Sequence, residues 1–120
     1  SLQLLPYYGF CAPDDEIWGN TVAMIRAPSY AYSFADAPIA EIGCAHAPYP
    51  WILSLCNSLL CGYKEQAFRE LEQMEMDNGI ACESVDPVLG TCTTGAAFAT
   101  CAGFLCHSMK QASKEASHAD

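Results

Sequence analysis

Two pairs of cysteines, each with four residues between its members, set the tightest limit on how this chain can fold. Cys56 and Cys61 form the first pair, Cys101 and Cys106 the second. Aligning Cys56 with Cys101 also aligns Leu60 with Leu105, Cys61 with Cys106, Gln66 with Gln111 and Ala67 with Ala112, so one cysteine-bearing helix design occurs twice. Each copy has a further cysteine upstream, Cys44 and Cys92. On a helix, five residues advance about 500° and about 7.5 Å, which leaves the alpha carbons about 8.6 Å apart and the side chains about 140° apart. A disulfide needs an alpha-carbon separation of roughly 4.4–6.8 Å. Neither pair can close on itself while helical, and each helix must be tied to two different neighbours.

Eight cysteines in 120 residues exceed the ordinary use of Cys as a small core residue. Their even number predicts that Cys11, Cys44, Cys56, Cys61, Cys82, Cys92, Cys101 and Cys106 form four disulfides in an oxidising, extracellular compartment, with the pairing left open. The length fits one domain with a modest core. Fourteen acidic against five basic residues give a net charge of −9. Such a surface repels phosphate backbones and anionic lipid, which argues against a nucleic-acid partner. No apolar run reaches membrane-spanning length, so no membrane insertion is expected. No charged-then-apolar leader stands at Ser1, so a secreted chain would already have lost its signal peptide. The acceptor pattern Asn-x-Ser/Thr for N-glycosylation does not occur.

Taken in order, residues 1–13 read as an extended apolar arm pinned by Cys11, since Pro6 and Gly9 oppose a long helix. Pro13-Asp14-Asp15-Glu16 opens a helix with acids at its positive end. Ile17, Trp18, Thr21, Val22 and Ile25 share its predicted inner face, and Pro28 closes it. Tyr30, Tyr32 and Phe34 alternate with small residues, which predicts a short extended segment near 29–35. A short helix is expected from Asp36 to about Ile42. The first long helix carries the stripe Ile52, Leu55, Cys56, Leu59, Leu60 and Tyr63, breaks or kinks at Gly62, and continues from Lys64 to Met76. Asp77-Asn78-Gly79 stops it, and 84–90 reads as a loop. Thr93 or Thr94 is the expected cap of the second long helix, whose stripe is Phe98, Cys101, Ala102, Leu105 and Met109. Residues 113–120 read as a frayed polar tail. The expected fold is mainly α, a small disulfide-stapled bundle of three to five helices in a single domain, 1–120.

Residues that could carry chemistry are few. Cys44-Ala45-His46 is half of a metal-ligand pattern that Cys56 or Cys61 could complete, but no close Cys-x-x-Cys pair supports it, and no metal or cofactor is expected. Adjacent residues on a helix point about 100° apart, so His107 cannot pair directly with Cys106 or Ser108. Glu41, His46 and Arg26 could meet only through the fold. Asp14-Asp15-Glu16, or Glu70, Glu72 and Glu75, could hold calcium weakly; a solvated acidic face is the simpler reading. No catalytic residue is assigned. The aromatic residues Tyr7, Tyr8, Phe10, Trp18, Tyr30, Tyr32 and Trp51 are the candidate contacts for a partner.

The run Cys56-Asn-Ser-Leu-Leu-Cys61-Gly-Tyr63 resembles helix segments of ciliate mating pheromones, which are acidic, secreted, disulfide-stapled helical bundles. The match covers a small part of the chain, twice over through the repeat. The resemblance implies cell-to-cell signalling through a protein receptor, with self-association as a second mode. Small secreted cysteine-rich effectors of plant-associated fungi have a similar architecture. The expected function is a secreted, non-catalytic protein ligand. A microbial effector or toxin, a carrier of a small apolar ligand between the long helices, and a small hydrolase using His46 or His107 are the alternatives.

Overall fold

Four helices and one small hairpin carry the chain, and each begins or ends for a local reason. The computed structural model describes the backbone of residues 1–118 and the side chains of residues 1–114. A single 3₁₀ turn, Leu2–Leu4, opens the molecule and buries Gln3 and Leu4. Helix α1, Glu16–Ile25, is capped by Asp15, whose carboxylate accepts the Trp18 N–H at 2.8 Å. Helix α2, Ile52–Leu60, ends where Gly62 turns left-handed at φ 100°. Helix α3, Lys64–Gln73, follows at once. Helix α4, Ala99–His118, is the longest.

The core lies mainly between α2 and α4. Ile52, Leu55, Cys56 and Leu59 from α2 meet Cys101, Leu105 and Ala112 from α4 in one buried cluster, which Ala67 of α3 and Ile39, Ala81, Cys82 and Val85 complete. Ala67 and Ala112, the matched alanines of the repeat, are both fully buried. The shortest dimension, 22 Å, is that of two helix layers.

Several expectations require correction. The first copy of the repeat is two helices, because Gly62 separates α2 from α3, while the second is one continuous helix. Cys61 lies at the C-cap of α2 rather than inside it. Cys92 and both threonines stand in a strand: β2, Cys92–Thr94, pairs antiparallel with β1, Ser84–Val85, in the segment expected to be a loop. This hairpin is fastened to the start of α2, since Ile52 N–H donates to Glu83 O at 3.0 Å and Val85 N–H to Pro50 O at 2.9 Å. No helix forms at 36–42, and Tyr30, Tyr32 and Phe34 lie in turns, with a single bridge from Ser33 to Ile42 nearby. Helix α3 stops at Gln73, three residues before the expected end; Asn78 and Gly79 then take φ values of 50° and 86° in a tight turn closed between Asp77 and Ile80. Of the 113–120 tail, residues up to His118 continue α4, and residues 119–120 lie outside the described residues.

The disulfides expected from the cysteine count are not formed: all eight thiols are unbridged. Cys56, Cys82 and Cys101 are fully buried. Burial pushes Cys56 and Cys82 up to about 12 and Cys101 up to about 11, so all three are protonated, apolar core groups.

Inside this frame sits a polar cluster. Glu41 is fully buried. Its carboxyl accepts from the Ser58 hydroxyl at both oxygens, and from Ser54 at 3.4 Å. Arg26 reaches in from the end of α1, placing Nη2 3.9 Å from Glu41 Oε1 and donating from Nη1 to Ser58 Oγ at 2.9 Å. Glu70 is also buried, with one oxygen bound by Gln66 and the Ala40 N–H and the other without a partner. Burial, with the nearby charge of Glu70 second, pushes Glu41 up to about 7. The arginine and serines oppose this shift and do not cancel it. Burial raises Glu70 in the same direction.

Both carboxyls bind their protons more tightly folded than unfolded, so their contribution to stability is greatest below the unfolded value near 4.5 and is lost as pH rises, for Glu41 through about 7. The urea midpoint should therefore be higher at pH 5 than at pH 8, with Glu41 contributing about 3 kcal/mol. Glu41→Gln should flatten that slope, as denaturation series of the parent and the variant at the two pH values would show.

Candidate functional site

Helix α1 leaves its apolar residues outside the core cluster. Of its predicted inner face only Val22 is buried, while Ile17 is 79 % exposed. Met24 is exposed as well. The main partner of α1 is the 3₁₀ turn, and the buried core cluster contains no α1 residue. Trp18 Nε1 donates to Leu2 O at 3.2 Å, which sets the turn beside the helix. Between them runs a groove of about 220 Å³, lined by Leu2, Leu5, Phe10, Ile17 and Trp18, with Cys11, Asp15 and Thr21 at its edge. Phe10 is 77 % and Tyr8 66 % exposed. An apolar surface of this kind, rimmed by charge, is the usual mark of an interaction site. The rim is acidic: Asp14, Asp15 and Glu16 stand at the start of α1.

The arm is thus partly as expected. Residues 1–13 do lie against the body, but as a 3₁₀ turn followed by tight turns, with Tyr8 N–H bound to Leu4 O and Phe10 N–H to Leu5 O. Cys11 pins nothing; desolvation and the charge of Asp15 raise its thiol above the ordinary range.

The candidate contact residues separate into three places. Tyr7, Tyr8, Phe10 and Trp18 belong to this amino-terminal edge. Tyr30 and Tyr32 pack edge to face at 5.9 Å on the turn after α1. Trp51 is half-buried before α2, where its Nε1 donates to Ala47 O. Tyr7 is spoken for, because its hydroxyl is 2.6 Å from His107 Nε2. That contact takes His107 away from Cys106 and Ser108, as helix geometry requires. Sequence reasoning missed Leu2, Ile17 and Met24 as surface residues. The sequence carried no signal for this: Ile17, Met24 and Ile25 fall within about 100° on one face of α1, as a buried stripe would.

The other polar groupings also fall into place. Cys44 and His46 do come together, Sγ to Nδ1 at 3.2 Å, and Glu83 approaches the far ring nitrogen at 3.6 Å. Neither Cys56, in the core, nor Cys61, whose thiol faces Gln3, joins them. Among the described residues no group of three or more His, Cys, Asp or Glu is placed to hold a metal ion. Glu41 and Arg26 meet, but His46 is turned to Glu83 instead. Asp15 is spent on its helix cap, and Glu70 is buried while Glu72 and Glu75 are exposed, so neither acidic run converges.

No family model, curated protein or solved structure matches the chain. The site has to be read from its own geometry.

One glycine supports the Cys44 turn. A Cβ at Gly43 would lie 2.5 Å from Tyr49 O and 2.8 Å from Tyr49 N, both backbone atoms that cannot swing aside. Gly43→Ala should cost about 1–3 kcal/mol. Gly19 in α1 has open space around it, so Gly19→Ala should instead stabilise by about 0.5–1 kcal/mol. Urea midpoints of the two variants, moving in opposite directions, would check both.

Proposed function

We propose that the chain is a secreted protein ligand that works by surface recognition, through the apolar groove between the 3₁₀ turn and α1. The observation that carries this reading is the pair Phe10 and Ile17, each more than three-quarters exposed and both lining one groove. Large aromatic and aliphatic side chains held open to water cost solubility, and a docking partner offsets that cost. The occupant is a protein surface with an apolar knob and basic flanks. Apolar walls fit the knob; Asp14, Asp15 and Glu16, and the net charge of −9, fit the flanks. The same charge disfavours a second copy of the chain as the occupant. On this reading that surface belongs to a receptor, and the chain is a cell-to-cell signal of the pheromone type.

Secretion and cross-linking belong to the same proposal. The cysteine count supports an oxidising compartment. Cys56 and Cys101 share the buried core cluster, with Cys82 beside them and Cys92 packed against it, so bridge formation on oxidation is sought first among these four. Bridges there would stiffen the scaffold behind the groove and lower the entropy cost of docking.

The test uses an amphipathic peptide of leucine and lysine as the probe, followed through Trp18, which lines the groove. The parent should bind it, and Phe10→Ser with Ile17→Ser should weaken binding by about tenfold or more at unchanged melting temperature. A leucine–glutamate peptide should not bind. Equal affinity of parent and double variant would contradict the reading, because charge alone would then account for the binding.

A further inference from the structure

The turn that follows Gly43 holds a thiol and an imidazole, and a carboxylate from the segment before β1 approaches them. Cys44 to Ala47 is closed by two backbone hydrogen bonds, Cys44 N–H to Ala47 O and Ala47 N–H to Cys44 O, both 3.2 Å. Trp51 fastens it from behind: its Nε1 donates to Ala47 O at 2.9 Å, and its ring meets the His46 ring edge to face at 5.2 Å. Within the turn, Cys44 Sγ lies 3.2 Å from His46 Nδ1 and 3.9 Å from Nε2. Glu83 Oε1, anchored beside the hairpin, lies 3.6 Å from Nε2. The thiol is thus within hydrogen-bond distance of one ring nitrogen, and the carboxylate stands at ion-pair distance from the other. The spatial order thiol, imidazole, carboxylate is the one found where a base and a second group act on a nucleophile.

The rest of the molecule sharpens the assignment. Cys56, Cys82 and Cys101 are buried, and burial keeps them protonated. Cys106 is exposed, but the neighbouring His107 is held by the Tyr7 hydroxyl. Cys44 is partly exposed and stands in the wall of a shallow groove of about 190 Å³, with Ile42, Trp51, Leu53 and Asn57 around it. That volume suits a small molecule.

We propose that Cys44 is a thiol–disulfide exchange site for small disulfides, with His46 as its base and Glu83 as the residue that positions His46. His46 Nδ1 takes the proton from Cys44 Sγ. The thiolate attacks one sulfur of R–S–S–R; a bond forms between Cys44 and that sulfur, and the original S–S bond breaks. The departing R–S⁻ carries away the bonding pair and takes the proton back from the imidazolium. One disulfide is exchanged for another, with no other oxidant or reductant needed. Glu83 and the net charge of −9 select a cationic disulfide over an anionic one.

Native protein incubated at pH 7 with cystamine, then mapped by peptide mass spectrometry over time, tests this. Cys44 should be the first residue to carry the adduct, at least about tenfold faster than exposed Cys106. Cystamine should react faster than oxidised glutathione, which is anionic. His46→Asn should slow Cys44 about tenfold or more while leaving Cys106 unchanged. Glu83→Gln should slow it several-fold and move the pH–rate profile, a change that a merely structural role would not produce. Both variants should melt near the parent. Cys44 found already bridged to another cysteine, a rate no faster than that of Cys106, or an unaltered rate in His46→Asn would overturn the proposal.

Discussion

Glu41 carries its carboxyl into the interior, and the groups gathered around it decide how the parts of the molecule meet. Ser54 and Ser58 come from α2, Arg26 from the end of α1, and Glu70 from α3 stands near enough to raise its proton affinity. Arg26 does most of the joining. Its guanidinium reaches Ser58, donates to Gln3 Oε1 of the 3₁₀ turn at 3.3 Å, and lies 3.9 Å from the centre of the Tyr63 ring between α2 and α3. A buried ion pair of this kind adds little net stability over apolar packing, but losing one partner leaves the other exposed to the full cost of burial. It acts as a locating pin for the elements it touches.

That pin explains why the apolar side chains of the amino-terminal edge stay outside the core. The core between α2 and α4 is closed by aliphatic and cysteine side chains, and α1 adds none of its residues to it. Because α1 is located by Arg26 and Gln3, together with the buried Leu4 and Val22, most of its apolar side chains are not needed for folding. Phe10, Ile17 and Met24 can then face water without loss of the fold. The thiol turn at Cys44 meets that edge only at Ser1, which shares its groove. It is held by the Trp51 indole and by the hairpin that supplies Glu83, on the segment leading into α2.

The helices were legible because their signals are local. Asp15 caps α1 from within the acidic run, Gly62 and Gly79 mark breaks by needing positive φ, and the stripe Ile52, Leu55, Cys56, Leu59 has the helical period. The hairpin was not legible. β1 and β2 are too short to show alternation, and β2 is created by pairing with residues seven to ten positions away in sequence, which no local pattern announces. The repeat misled at Cys92, which has no residue match to Cys44 beyond the cysteine itself and stands in a strand. The buried role of Glu41 was equally hidden, because the residue is ordinary in sequence and acquires its partners from three separate elements. The exchange turn stood halfway: Cys44 and His46 were visible as neighbours, whereas Glu83 arrives only through the hairpin. The sulfur frame read from the count of eight corresponds to buried and exposed thiols without bridges in this structure.

The central claim is that Arg26 pins the amino-terminal edge to a body that stands without it. Hydrogen-exchange mass spectrometry of Arg26→Met tests this most directly. Amides of residues 2–10 and of α1 should lose protection, while those of α2 and α4 keep theirs. Protection lost evenly across all four helices, or unchanged in α1, would contradict the account.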